Sequence, residues 1–204
     1  MKDLTEMPSN VIALQAEFKS QVSSNEARFL YNAVLRSPAG DVVEIGSALG
    51  GTTIVLIEAA KIAGKHVWSI DPYPTELEGV AADYESGLIS GFREGFAKNI
   101  LNGKYPNVCQ IQQYLPECID DISPYVSVAF VDGLHELKSA LCDFYLIYSR
   151  VVRGGWICIH DINFTKGQLS KTEDTGLWRM LNLIPIDKLF TAFQTVDSMF
   201  CGRK

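Results

Sequence analysis

The stretch Asp41-Val42-Val43-Glu44-Ile45-Gly46-Ser47-Ala48-Leu49-Gly50-Gly51-Thr52-Thr53 decides the fold. It reads as a buried strand, a glycine-rich turn and the start of a helix. Val42, Val43 and Ile45 form a short apolar, β-branched run suited to a central parallel strand. Gly46, Gly50 and Gly51 remove side chains where the backbone turns sharply and where a ligand approaches closely. Thr52 or Thr53 then caps a helix running through Ile54, Leu56, Ala60 and Ala63. A turn of this kind offers free N–H groups and a helix N-terminus to a polar or anionic group. The stretch therefore predicts a nucleotide-type binding loop, and a bulky side chain at Gly46 is expected to fill the ligand's space while leaving the fold intact.

Working outward, residues 9–20 and 24–36 carry two helical patterns. In the second, Ala27, Leu30, Tyr31, Val34 and Leu35 recur at helical spacing, with Ser24 or Asn25 as its cap. Ser37-Pro38-Ala39-Gly40 ends that helix and feeds the first strand. Gly64 stops the helix after the glycine loop, and His66-Val67-Trp68-Ser69-Ile70-Asp71 is a second strand ending in an acid. Residues 72–90 are turn-rich and acidic, and a helix is predicted near 89–101. Val108 to Gln112 is a third strand and Val126 to Val131 a fourth, ending in Asp132-Gly133. A crossover helix over about 135–150 places Leu137, Leu141, Phe144 and Tyr148 on one face. Gly154-Gly155 precedes a fifth strand, Trp156 to Ile159, which ends in His160-Asp161. After a polar loop over 162–176 come a short helix, Leu177 to Leu183, and two closing strands, Leu189 to Gln194 and Ser198 to Arg203, joined by a tight turn at Val196-Asp197. Strands alternating with helices imply right-handed βαβ units and a mostly parallel sheet covered on both faces, with the closing pair antiparallel. One domain is expected over residues 1–204, with N-terminal helices over 1–38 and a Rossmann-like α/β core over 39–204.

Composition narrows the classes. A chain of 204 residues with 47% hydrophobic and 21% charged residues has the make-up of a globular protein with a substantial core. Its net charge of -6 argues against a broad electrostatic grip on nucleic acid. No apolar run approaches the ~20 residues of a membrane helix, and no secretory leader is recognisable. The five cysteines, Cys109, Cys118, Cys142, Cys158 and Cys201, form no C-x-x-C pair, which fits free thiols in a reducing, cytoplasmic setting.

In an open α/β sheet, ligands bind outside the carboxyl ends of the strands near the point where strand order reverses. The polar residues fall at those ends: Glu44 to Gly46, Asp71, Asp132, and the pair His160-Asp161. Asp71 lies 20 residues after Gly51, the separation of an acid that accepts hydrogen bonds from ribose hydroxyls. That alone suits NAD as well. Against NAD, Ala48 stands where the dinucleotide fingerprint has its second glycine, and little chain is left for a separate substrate domain.

Glu44-x-Gly46-x-x-x-Gly50-Gly51 with Asp71 resembles the cofactor motifs of class I S-adenosylmethionine-dependent methyltransferases. Phe130-Val131-Asp132-Gly133-x-His135, followed by Gly154-Gly155 and His160-Asp161, is more similar to the small-molecule O-methyltransferases of that class, including sugar, macrolide-sugar and catechol methylating enzymes. The resemblance covers about residues 40–161. It implies a seven-stranded sheet with its last strand antiparallel, in agreement with the closing strand pair read from the pattern. It further implies that Gly46, Ser47, Gly50, Gly51 and Thr52 face the methionine part of the cofactor, that Glu44 steadies the loop or the cofactor's amino group, and that Asp71 binds the ribose. Gln113 or Tyr114 would lie near the adenine, and Asp132 would adjoin the cofactor. In metal-dependent relatives, an Asp after the fourth strand and an adjacent pair after the fifth hold a divalent ion, which here means Asp132, His160 and Asp161. His160 departs from the carboxylate or amide that many relatives carry there, and imidazole suits Mn, Fe or Zn better than Mg.

Such a site makes chemical sense. The sulfonium methyl is already reactive, so the protein must hold an oxygen nucleophile in line and help it lose its proton. A metal lowers the hydroxyl's pKa, and His135, three residues after Asp132, is placed to take the proton. Structural alternatives stand beside these roles: His135 as a helix cap, His160 bonded to a loop carbonyl, His66 away from the binding edge, and Trp178 and Phe164 as core instead of a roof over the site. The expectation is methyl transfer from S-adenosylmethionine to a small-molecule hydroxyl, with a divalent metal. A metal-free methyltransferase using Asp132 and His135, a non-catalytic nucleotide-binding module and a dehydrogenase remain as alternatives. A small-molecule acceptor is the expected partner, without broad nucleic-acid or membrane binding, and a homo-oligomer is left open.

Overall fold

The computed structural model describes residues 4–73, 91–103, 105–162 and 176–204. The strands are β1 (Asp41–Ile45), β2 (Val67–Ile70), β3 (Val108–Ile111), β4 (Val126–Val131), β5 (Val151–Ile159), β6 (Ala192–Val196) and β7 (Met199–Arg203). They form one sheet of order β3-β2-β1-β4-β5-β7-β6. All pairs from β3 to β5 are parallel, and β7 runs antiparallel to both β5 and β6. The seven-stranded, mostly parallel Rossmann-like sheet expected from the sequence is thus observed. Its order reverses between β1 and β4, so their carboxyl ends flank the crevice where ligands bind in such sheets.

Period-2 alternation sorts the strand residues into two cores. Val42, Val128, Phe130 and Cys158 face the side covered by α1 (Ser9–Glu17), α2 (Ser24–Arg36) and α3 (Gly51–Ala63). Val43, Ala129, Val131 and Ile157 face the side covered by α6 (Leu137–Arg150) and α7 (Gly176–Leu183). The smaller helices are α4 (Phe92–Asn99), α5 (Leu115–Cys118) and α8 (Ile186–Leu189). Both faces of β4 are buried along its whole length, which is why its sequence is an almost unbroken apolar run.

Several boundaries differ from expectation for local reasons. Ser23, not Ser24 or Asn25, caps α2, because it closes a reciprocal capping box with Glu26. Neither Thr52 nor Thr53 caps α3. Gly50 holds that position with φ 87, and the Thr53 hydroxyl turns inward to Glu44. Gly154 and Gly155 lie inside β5, not before it. The closing turn falls at Asp197-Ser198, where Asp197 has φ 48. The predicted start of the helix at 89–90 and most of the 72–90 and 162–176 loops, including Phe164, lie outside the described residues. Among the described residues, no helix is long and apolar enough to cross a membrane.

Candidate active site

The glycine loop is shaped by its neighbours. Gly46 has φ 89, and a Cβ there would lie 2.1 Å from the backbone oxygen of Asp132. Glycine is therefore demanded by the close approach of the β1 and β4 ends, before any ligand is considered. This overturns the expectation that a side chain at 46 would spare the fold. Gly51 is pressed in the same way against the backbone of Ser20, and Gly50 against the side chain of Ile100.

Asp71 organises the loop. Its Oδ2 accepts the N–H groups of Ser47 and Ala48 at 2.9 and 3.0 Å, and its Oδ1 accepts that of Tyr73 at 2.9 Å. The Tyr73 hydroxyl in turn donates to the Ala48 carbonyl at 3.2 Å. Burial raises the Asp71 pKa against these three backbone bonds, which pull it down. The N–H groups of Ser47 and Ala48, expected to be open to an anion, are instead taken by a carboxylate. Below the loop, Glu44 is fully buried, and its Oε2 accepts from Thr53 at 2.6 Å and Ser69 at 2.8 Å. Ser47 Oγ sits 2.5 Å from Ser69 Oγ, extending the chain of hydroxyls. Burial pushes the Glu44 carboxyl up to about 7, although the Thr53 and Ser69 bonds oppose this.

A cavity of about 590 Å³ opens at this edge of the sheet, lined by Gly46, Asp71, Gln113, Asp132, His135 and Asp161 among others. Glu44, Ser47, Gly50, Gly51 and Thr52 do not line it. Ser47 and Gly50 belong to the loop itself, Glu44 lies in β1 beneath it, and Gly51 and Thr52 open α3, where Thr52 Oγ1 faces Ser20 Oγ at 3.3 Å. Among the described residues, six carboxylates reach the cavity wall against one lysine, Lys138; besides those named they are Glu117, Glu136 and Asp143. Asp143, nearly buried, has its pKa raised to about 6 by desolvation.

Three of these groups converge. One ligand atom each from Asp132, His135 and Asp161 falls within 4.8 Å of the others. His135 Nε2 lies 3.9 Å from Asp132 Oδ1 and 3.6 Å from Asp161 Oδ2, beyond hydrogen-bonding range of both. Asp161 occupies the left-handed region at φ 56, an uncommon conformation that turns the chain at the end of β5. Burial and the repulsion of Asp132 raise the Asp161 carboxyl to about 6, with His160 and His135 opposing. Burial also works against ionisation of Asp132, but the adjacent His135 and His160 outweigh it and hold its pKa below the usual carboxylate value.

His160 is not on the cavity wall, contrary to a plain reading of the pair His160-Asp161 as two ligands side by side. Its ring is buried, with Nδ1 3.2 Å from Asp132 Oδ1 and 3.3 Å from Asp161 Oδ1. Its Nε2 lies 3.3 Å from Oε2 of Glu26, a buried acid on α2. Burial disfavours the imidazolium, yet Asp132 and Glu26 outweigh that and raise its pKa to about 10. Sequence reading missed Glu26 altogether. Its one local signal, Ser23-x-x-Glu26, marks a helix start and says nothing of a partner more than a hundred residues away.

The family comparison agrees with this architecture. A family described as "Methyltransferase domain" matches residues 43–162, more than half of the chain, a span that takes in β1 from Val43 on, the glycine loop, Asp71, Asp132, His135 and Asp161. The chain belongs to this methyltransferase family, and the class expected from its motifs is borne out. An uncharacterized protein of Acanthamoeba polyphaga mimivirus is 29% identical over 126 residues, covering 58% of this chain and 50% of that protein, so the chain matches about half the length of that relative. Among solved structures, the O-methyltransferase NovP superposes with TM-score 0.62 at 17% identity, covering 90% of this chain and 81% of NovP. An O-methyltransferase from Bacillus cereus in complex with SAH gives 0.62 at 16%, covering 96% and 89%. TomG, an O-methyltransferase from Streptomyces achromogenes in complex with SAM, gives 0.61 at 15%, covering 96% and 88%. At these identities the superpositions speak for the fold.

Proposed function

We propose that this methyltransferase moves the methyl group of S-adenosylmethionine to a small-molecule hydroxyl, with a divalent cation at Asp132 and Asp161. The observation that carries the reading is the convergence of Asp132, His135 and Asp161 on the cavity that the glycine loop borders. The charge of the wall favours a sulfonium cofactor over a dinucleotide. Carboxylates dominate it, and two loop N–H groups that a pyrophosphate would need are already bonded to Asp71. The structural neighbours NovP, the Bacillus cereus enzyme and TomG, all O-methyltransferases by name, support oxygen as the acceptor atom.

In this reading Asp71 keeps the loop closed under the methionine part and offers remaining lone pairs to the ribose, while Gln113 stands at the adenine end. Asp132 and Asp161 present two anionic oxygens to the cation, which when bound lowers the acceptor's pKa and orients it. His135, on the cavity side of that pair, takes the hydroxyl proton at Nε2. Because a ring nitrogen of His135 also belongs to the group within 4.8 Å, the geometry gives a second arrangement with His135 as third ligand.

Calorimetry with S-adenosylhomocysteine and with NADH tests the cofactor; tight binding of NADH alone would defeat the reading. Turnover is then followed as S-adenosylhomocysteine release with catechols and sugars as acceptors, with and without EDTA. Full activity in EDTA, with no metal in the purified protein, would remove the cation and leave Asp132 and His135 to act alone. For His135→Ala, retained Mn²⁺ with turnover reduced about 100-fold or more supports the base role, and lost Mn²⁺ supports the ligand role.

A further inference from the structure

Behind the cavity wall lies a buried chain of polar groups that the proposed chemistry does not use. Glu26 Oε2 accepts the Ser23 N–H at 2.7 Å, and Oε1 accepts the N–H and the hydroxyl of Ser198 at 2.8 and 2.7 Å. Each carboxylate oxygen therefore faces a backbone N–H, a group that only donates. Glu26 is left with accepting roles, so at its 3.3 Å contact with His160 Nε2 the proton belongs to the nitrogen. This contact, with the Ser198 hydroxyl 3.2 Å from the same nitrogen and itself held by Glu26, selects one orientation of the imidazole and turns Nδ1 to the Asp132 and Asp161 oxygens. The side chains of Glu26 and His160 are 1% and 4% exposed, which leaves little room for water to substitute for either.

We propose that Glu26 is a positioning residue of the active site, acting through the His160 ring to hold the Asp132 and Asp161 carboxylates in place. The contact joins α2 to the ends of β4 and β5 and, through Ser198, to the turn between β6 and β7. A buried ion pair that served only to staple these segments would be replaceable at little cost by apolar residues. In that case its loss would lower stability and leave the site's affinities alone. The positioning role makes a different demand: loss of the Glu26 charge must be felt at Asp132 and Asp161, which Glu26 does not touch. Partners that orient a metal site's inner residues typically change metal affinity by 10–100-fold when removed.

The test uses the full chain with Glu26→Gln, and Ser23→Ala as the structural control. Ser23→Ala removes the cap hydroxyl, keeps the Ser23 N–H, and leaves the Glu26–His160 contact intact. Mn²⁺ binding is measured by calorimetry in saturating S-adenosylhomocysteine, together with thermal stability and the ¹⁵N signals of the histidine rings. The expected result for Glu26→Gln is Mn²⁺ affinity about 10-fold or more weaker, with S-adenosylhomocysteine affinity within about twofold. The His135 ring signals are expected to shift, although Glu26 does not contact His135. Ser23→Ala is expected to lower stability without moving Mn²⁺ affinity or the His135 signals. Unchanged Mn²⁺ affinity and His135 signals in Glu26→Gln would overturn the proposal. The Mn²⁺ arm rests on the cation reading above. Were the wild type to bind no Mn²⁺, that reading would fail, and the His135 signals alone would decide the role of Glu26. If Glu26→Gln does not fold, Glu26→Asp, which keeps the charge but shortens the reach, is judged by the same two readouts.

Discussion

Replacing Gly46 with alanine should damage the fold before it damages binding. The added Cβ would sit 2.1 Å from the Asp132 carbonyl oxygen, 2.7 Å from its carbon and 3.1 Å from the Gly133 nitrogen, at a φ of 89. All three obstacles are backbone, so no rotamer change relieves them. The chain must part at the β1–β4 junction, where Asp132 N–H donates to Ile45 O at 2.8 Å, while on the other side Gly46 N–H is tied to Ile70 O of β2 at 2.9 Å. The left-handed backbone costs a non-glycine residue about 1–2 kcal/mol. Overpacking a close contact adds about 1–3 kcal/mol. Taking roughly 3 kcal/mol together, the melting temperature of a chain this size should fall by roughly 6–12 °C. Gly64→Ala is the matched control, because Gly64 also has positive φ, at 65, but a Cβ there would meet nothing within 4 Å. It should lose only the backbone part, about 1 kcal/mol. Thermal and urea denaturation of the two variants against the wild type measures the difference. Equal losses in both would refute the argument, since they would mean that no backbone wall stands over Gly46.

Three further outcomes follow from the loop and the site. Asp71→Asn puts an NH₂ group against at least one backbone N–H that the carboxylate now accepts, so stability should drop by about 1–3 kcal/mol and S-adenosylhomocysteine affinity should fall with it; unchanged urea midpoint and affinity would mean that the loop is held otherwise. Glu44 keeps its proton in the folded chain up to about 7, against 4.5 as the ordinary value, so the unfolded chain binds fewer protons between those limits and stability declines as pH rises through them. Glu44→Gln should remove a decline on the order of 3 kcal/mol, read from urea unfolding at pH 5 and pH 8, and an unaltered slope would contradict it. Asp132→Ala should lose Mn²⁺ binding and turnover while keeping S-adenosylhomocysteine affinity within several fold, and metal retained at the wild-type level would count against Asp132 as a ligand.

Much of the fold was legible because its central elements carry local signals. The runs of β1 and β4 are mostly apolar, broken only by Glu44 and Ser127 after Asp41, since both faces of these strands are buried, and Gly64 marks the end of α3 by its own backbone conformation. Edges were read less well. Cap choice at α2 and α3 depended on which hydroxyl had a better use elsewhere: the Thr53 hydroxyl is drawn to a buried carboxylate, and the Ser23 hydroxyl is matched by Glu26. β5 extends back through Gly154 and Gly155 because Val151 pairs with Val126 and the strand bulges between the paired segments. Glycine pairs at such a point look like a turn from sequence alone.

The site divides along the same line. Asp71, Asp132 and Asp161 were found because topology sends the ends of parallel strands to one edge, and a polar residue at the end of an apolar run is visible in sequence. What each carboxylate binds was not visible, since that depends on donors from other segments. Asp71, expected to be free for a ribose, spends its oxygens first on the N–H groups of the glycine loop. His160 and Asp161 are neighbours in sequence, yet the strand alternation and the turn at Asp161 send them to different places: Asp161 to the cavity wall, and His160 back toward α2. A buried imidazole there requires an acceptor, and the acceptor comes from residue 26 because α2 packs against the sheet beside β5. Glu26 thus looks like a capping residue in sequence and like part of the active-site support in three dimensions, and the same carboxylate does both through different oxygen lone pairs.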